Sequence, residues 1–168
     1  KGVMKALEST TWITGRVLII MFTALAFGQL LTINKIPDLI AQGLLNLTDN
    51  LYLIWALIIL FLLFMGMFME TLATIMLVTP VLLPVMVSFG VDPIHFGVVL
   101  VCCCEIGFAT PPLGENMFIA SGVARTTLED ISLNALPFVF VSVLVVFLIA
   151  YFPALTLWLP DFLETIFQ

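Results

Sequence analysis

Three carboxylates stand where long apolar runs are interrupted: Glu70, Glu105 and Glu115. Glu70 closes the stretch Met65-Gly66-Met67-Phe68-Met69 and precedes Thr71. Glu105 lies one turn before, and Glu115 inside, the stretch Ala109-Thr110-Pro111-Pro112-Leu113-Gly114-Glu115-Asn116. A charged side chain deep in a bilayer costs about 2.5–3.5 kcal/mol on insertion scales. Each acid therefore needs a compensating role: coordinating a cation, carrying a proton, capping a neighbouring half-helix, or facing a wet cavity. For Glu105 the spacing favours a bond to the amides of the loop that follows. Thr71, Thr110, Asn116 and Ser121 add neutral oxygens. Oxygen ligands suit a hard cation, here a monovalent one such as Na⁺. Asn116 and Thr110 are the foremost candidates, with local capping of the helix ends as the competing reading.

The backbone at these places matters as much as the side chains. A helix broken inside a membrane leaves amides and carbonyls without partners, and such breaks persist where the freed groups bind something. Half-helix N-termini attract anions and unwound carbonyls coordinate small cations. Two segments qualify, Gly66–Thr71 and Thr110–Asn116.

Other chemistries are poorly served. His95 is the sole histidine, follows Asp92-Pro93, and reads as an interfacial polar residue rather than a metal ligand. Cys102, Cys103 and Cys104 are consecutive. On a helix they point about 100° apart, which suits neither a zinc site nor a disulfide framework but does suit small apolar filling. Together with Met65, Met67 and Met69 they leave a soft-metal Cu(I) transporter as a remote alternative. No Gly-x-Ser-x-Gly, His-Glu-x-x-His or phosphate-binding glycine loop is present, so no catalytic residue or bound cofactor is assigned and the chain is not read as an enzyme. Nucleic acid is excluded as a partner, because the net charge is −6 and the five basic residues form no patch.

The elements that must position these groups follow from composition. Of 168 residues, 62% are hydrophobic and 10% charged, with a mean hydropathy of +1.26. Too few polar side chains exist to cover a water-facing surface, so the chain reads as an all-α integral membrane protein. Trp12–Leu31 is long enough to cross, and Lys1, Lys5 and Arg16 at its start place the N-terminus in the cytoplasm. Ile36–Leu47 has amphipathic helical spacing and is too short to span, so it reads as a lateral arm at the interface. Leu51–Met65 and Leu72–Phe89, joined by a turn of methionine and phenylalanine, read as a re-entrant hairpin with a buried tip, since a water-facing turn would be polar. Gly90-Val91-Asp92-Pro93 is a loop, Ile94–Phe108 a helix that stops at the two prolines, and Met117–Ala124 its continuation. Leu128–Tyr151 is the last span. The implied units are 1–50 (first helix and arm), 51–89 (hairpin), 90–127 (broken helix) and 128–168 (final helix). Met4 has no signal-peptide organisation after it, and the chain reads as a fragment of a longer protein.

In this order, Gly66-Met-Phe-Met-Glu70, Pro80 and Pro84, Asp92-Pro-Ile-His-Phe-Gly97, Glu105-Ile-Gly107 and Thr110-Pro-Pro-Leu-Gly114-Glu-Asn116 resemble the large membrane subunit of TRAP transporters, the DctM-like permeases. The resemblance covers essentially the whole chain. It implies one half of a permease built from two inverted repeats, each with a scaffold helix, a lateral arm, a re-entrant hairpin and a broken transmembrane helix. It further implies import of small carboxylates, such as C4-dicarboxylates or sialic acid, by an elevator movement coupled to Na⁺. An extracytoplasmic substrate-binding protein and a small membrane subunit would be partners, in the inner membrane of a bacterium or archaeon. By the matching motifs, Gly66, Glu70 and Thr71 would lie at the hairpin tip, and Thr110, Pro111, Gly114 and Asn116 at the broken helix, as the candidate Na⁺ and substrate site. Two departures stand out: cysteines replace the Asn often found before Glu-Ile-Gly, and Glu115 replaces a residue that is usually uncharged. A non-transporting membrane scaffold, such as a truncated partner subunit, is the alternative.

Overall fold

The computed structural model describes residues 2–48, 50–111 and 114–167, with backbone only at 115, 166 and 167. Among these residues it is all-helical: α1 Gly2–Ile33, α2 Ile36–Leu47, α3 Leu51–Phe68, α4 Thr71–Ser88, α5 Pro93–Phe108, α6 Glu115–Ala124, α7 Leu128–Tyr151 and α8 Ala154–Phe167. Four of them, α1, α3, α4 and α7, are long and apolar enough to cross a membrane.

The core is built on α3 and α5. Ile54, Trp55, Ile58, Ile59, Leu62 and Gly66 form a buried stripe on α3. Phe96, Val99, Leu100, Cys103, Cys104 and Gly107 form its counterpart on α5. Both follow the i, i+3, i+4 spacing that places side chains on one helix face. The two helices run parallel: Trp55 meets His95 edge-on at 5.3 Å between ring centroids, while the opposite ends meet at Gly66 and Gly107. Val78, Leu82 and Met86 of α4 and Val146 and Ala150 of α7 complete the same cluster. Cys103 and Cys104 are fully buried within it, as expected for small apolar filling, whereas Cys102 turns to the half-buried flank.

α1 leans on this body chiefly through α4, parallel to it. Gly28 opens a notch for Pro80, since a β-carbon there would lie 2.7 Å from the proline Cγ. Further along, Arg16 reaches Glu70. The level of the α3–α4 turn is thereby set against α1: the fourteen residues Gly2–Gly15, about 21 Å of helix, continue past it.

α1 extends from Gly2, ahead of the apolar run Trp12–Leu31, because Lys5 and Glu8 are helix-compatible charges. α3 and α4 have 18 residues each, about 27 Å of helix. One expectation needs correction. The segment 128–168 is two helices, because Pro153 has no N–H and pushes Phe152 out of helical geometry (φ −122°, ψ 81°) before α8 begins.

Candidate functional site

The two interruptions foreseen in the sequence are real, and the fold sets them at the same end of the core. α3 stops at Phe68 and α4 starts at Thr71. α5 stops at Phe108 and α6 starts at Glu115. Their proximity rests on two glycines. A β-carbon on Gly66 would lie 2.8 Å from the Cys104 carbonyl oxygen, and one on Gly107 would lie 2.8 Å from the Gly66 Cα. The end of α3 is therefore in backbone contact with the last turn of α5, one turn from the break.

The two helices that start at the interruptions lack a side-chain cap. Asn50 accepts from the Tyr52 amide at 2.9 Å, Asp92 from Ile94 at 2.7 Å, and Thr127 from Asp130 at 3.2 Å, so α3, α5 and α7 start with a side-chain cap. α4 and α6 do not: neither Glu70 nor Gly114 supplies a capping bond. α2, preceded by Lys35 in the left-handed region and carrying a proline in its first turn, also lacks a side-chain cap. The first-turn amides of α4 and α6 thus point toward the interruptions without a side-chain acceptor at the N-cap, the arrangement that favours an anion.

The proposed ligands divide. Thr71 Oγ1 is buried and has no hydrogen-bond partner among the described residues. Such a hydroxyl is costly unless something accepts from it or coordinates it. Thr110 Oγ1 instead donates to the Ile106 carbonyl, the local back-bond of an ordinary helix end, and keeps its lone pairs. Asn116 is exposed on the first turn of α6, and Ser121 donates to the Thr126 carbonyl at 2.7 Å, away from the break. Pro111 is half-buried in the turn after α5. Gly114 is buried where a β-carbon would lie 2.6 Å from the Phe108 carbonyl oxygen and 2.9 Å from that of Thr110. Only glycine allows the chain to fold back onto the α5 terminus there. Pro112, Leu113 and the side chain of Glu115 lie outside the described residues.

The acids also divide. Glu70 is side-chain paired with Arg16 of α1, Nη2 to Oε1 4.0 Å. Glu105 is exposed beside a groove of about 360 Å³ between α5 and α7, lined also by Cys102 and Ser142, and its carboxylate makes no bond to another described residue. Arg16 is the functional candidate that sequence reasoning passed over as a topology signal. A lone guanidinium inside Trp12–Leu31 was itself the clue, because intramembrane charges are functional by default.

His95 is buried in the first turn of α5, 2% exposed. Its Nδ1 lies 2.7 Å from Thr156 Oγ1 and its Nε2 3.1 Å from the Ala150 carbonyl oxygen, which only accepts, so Nε2 carries the hydrogen. The ring ties the start of α5 to the end of α7 and to α8, at the opposite end from the interruptions.

Residues 1–155 match the DctM component of tripartite ATP-independent periplasmic transporters. The chain is 42% identical over 142 residues to the isethionate TRAP transporter permease protein of Oleidesulfovibrio alaskensis, covering 84% of this chain and 22% of that protein. It is 34% identical to the sialic acid TRAP transporter large permease of Vibrio cholerae, covering 96% of this chain and 38% of the relative. The C4-dicarboxylate TRAP transporter large permease of the same organism is 33% identical, covering 96% and 36%. The chain therefore spans well under half the length of these relatives.

Proposed function

The chain belongs to the DctM component family of tripartite ATP-independent periplasmic transporters, and from that premise we propose that it is the second half of a large permease subunit that imports small organic anions together with Na⁺. The adjacency of the two interruptions, held by Gly66 against Gly107, carries this reading. It gathers two uncapped helix starts and the orphaned Thr71 hydroxyl at one end of an apolar bundle. Helix N-termini favour the anion, while hydroxyl and carbonyl oxygens favour the cation. Gly66, Glu70 and Thr71 form the α3–α4 side of the site and Thr110, Pro111, Gly114 and Asn116 the α5–α6 side. Na⁺ is cargo here, driving transport rather than residing in the protein.

In this reading α3 and α4 form a re-entrant hairpin, α1 and the lateral α2 belong to the scaffold, and transport is an elevator movement of hairpin and broken helix against it. The extension of α1 beyond the hairpin turn supports a tip that stops short of the far membrane surface. A substrate-binding protein would deliver the anion and a small membrane subunit would brace the scaffold, in a bacterial inner membrane. Small carboxylates such as C4-dicarboxylates and sialic acid are the expected cargo. Isethionate, named for one relative, carries a sulfonate instead. The shared chemistry is a compact oxyanion.

The deciding experiment is uptake by the parent permease, reconstituted in proteoliposomes with its small subunit and binding protein. Labelled succinate, sialic acid and isethionate are the probes. Accumulation of at least one, only under an inward Na⁺ gradient, is expected. Accumulation indifferent to Na⁺ would remove the coupling, and exclusion of all three anions would remove the substrate class.

A further inference from the structure

Arg16 of α1 and Glu70 of the α3–α4 turn meet only loosely. Their 4.0 Å separation is well beyond the 2.7–2.9 Å of a charge-assisted hydrogen bond. The Arg16 side chain is 60% exposed and that of Glu70 37% exposed, and neither makes another hydrogen bond to a described residue. The guanidinium therefore keeps a free planar fork of donors, the shape that takes carboxylate and sulfonate oxygens two at a time. It is also the sole basic side chain in the first apolar run.

Building on the reading of this end of the molecule as an anion and Na⁺ site, we propose that Arg16 and Glu70 exchange partners when the site loads. In the empty site they neutralise one another. In the loaded site Arg16 holds the oxyanion of the substrate, and Glu70, released, joins the Thr71 hydroxyl in holding Na⁺. For a monoanion such as sialic acid or isethionate with one Na⁺, both arrangements are neutral: one positive and one negative group before loading, two of each after it. A dianion such as succinate needs a second Na⁺ for the same balance. Half-loading is not neutral. The anion alone takes Arg16 and leaves Glu70 without a counter-charge; Na⁺ alone takes Glu70 and leaves Arg16 without one. An uncompensated charge in apolar surroundings is heavily penalised. Neutrality thereby makes the two cargoes bind together, which is what coupling requires.

Two details fit this exchange beyond the contact itself. Glu70 precedes α4 without capping it, so its carboxylate is not committed to the helix it begins. Thr71, the next residue along, has a buried Oγ1 without a partner among the described residues, an oxygen that a cation would satisfy. The sequence puts an acid and a hydroxyl side by side, and only the fold brings the base to them.

The test uses the full complex in proteoliposomes, with succinate, sialic acid or isethionate as probe according to which the wild type accumulates. Arg16→Gln is expected to raise the half-saturating anion concentration at least tenfold at saturating Na⁺, with Arg16→Lys intermediate. Glu70→Gln is expected to raise the half-saturating Na⁺ concentration at least tenfold. The pair Arg16→Gln with Glu70→Gln, again neutral when empty, should lose less uptake than the product of the single losses. Na⁺-dependent thermal stabilisation of the detergent-solubilised complex, without anion, separates cation binding from transport and reports folding. It should be weak in the wild type, where Na⁺ alone leaves Arg16 uncompensated, stronger in Arg16→Gln, which removes that cost, and weakest in Glu70→Gln. A wild-type anion half-saturation in a folded Arg16→Gln complex, or strictly multiplicative losses in the double variant, would overturn the exchange while leaving Na⁺-driven uptake by the wild type standing. Failure of the wild type to show such uptake would overturn the functional reading itself.

Discussion

Gly66 on α3 and Gly107 on α5 touch backbone to backbone, so closely that a β-carbon on Gly107 would also lie 2.6 Å from the Leu63 carbonyl oxygen. The atoms in the way are main chain, not the ends of flexible side chains. A methyl group added there cannot be accommodated by a rotamer change; the helices must separate.

Gly107→Ala should therefore destabilise the permease, by about 1–3 kcal/mol as for other overpacked sites. Gly97 lies on the same helix with open space around it. There the lower backbone entropy of alanine operates alone, and Gly97→Ala should be neutral or stabilising by up to about 1 kcal/mol. Thermal unfolding in detergent compares the two. Equal midpoints would mean that α3 and α5 do not approach as closely as the glycines indicate.

The His95 tie predicts a different kind of loss. His95→Phe keeps an aromatic edge against Trp55 but removes both ring nitrogens, leaving the Ala150 carbonyl without its partner. An orphaned buried acceptor costs about 1–3 kcal/mol. The loss should be local, because α8 is otherwise exposed along most of its length. Hydrogen exchange should accelerate in Ala154–Phe167 before it does in α3. Uniform acceleration across the bundle would show that His95 supports the core as a whole rather than docking the C-terminal helix.

These cases show where the sequence was readable. α2 was placed at Ile36–Leu47 from its periodicity alone, and both interruptions were placed from the Gly-Met-Phe-Met-Glu turn and from Pro111, Pro112 and Gly114. Local chemistry decides those features, so local sequence reports them. α8 was missed because 128–168 was read as one final helix, whereas Pro153 ends α7 and Pro160 is held inside a further helix. The partners of His95 and Arg16 were not legible for another reason. They are Thr156, 61 residues away, and Glu70 across the α1–α4 contact, and no spacing rule reports such pairings.

Gly114 tests whether the break itself carries transport. Its Cβ position is filled by backbone of Phe108 and Thr110, so Gly114→Ala must re-form the turn. Uptake should fall at least tenfold while the complex still assembles. Gly122, further along α6 and with nothing within 4 Å, is the matched control, and Gly122→Ala should transport normally. Normal uptake by Gly114→Ala would show that the turn tolerates another geometry and that its shape does not build the site.

Asn116 tests the cation half of the site. It sits on the first turn of α6, exposed, with no side-chain bond to another described residue, and its amide oxygen is available to a hard cation. Asn134 offers a contrast, since its amide nitrogen donates to the Asp130 carbonyl of its own helix at 2.7 Å, away from either interruption. If Asn116 contributes an oxygen to Na⁺, Asn116→Ala should raise the Na⁺ concentration for half-maximal uptake several-fold. The half-saturating anion concentration, measured at saturating Na⁺, should change little. Asn134→Ala should leave both values in place. Thr110→Ser, which keeps the hydroxyl bonded to Ile106, should resemble the wild type, whereas Thr110→Val removes an oxygen and should shift Na⁺ dependence in the same direction as Asn116→Ala. An unchanged Na⁺ dependence in Asn116→Ala, with a shift in Thr110→Val, would move the cation toward the α5 terminus and take α6 out of its coordination.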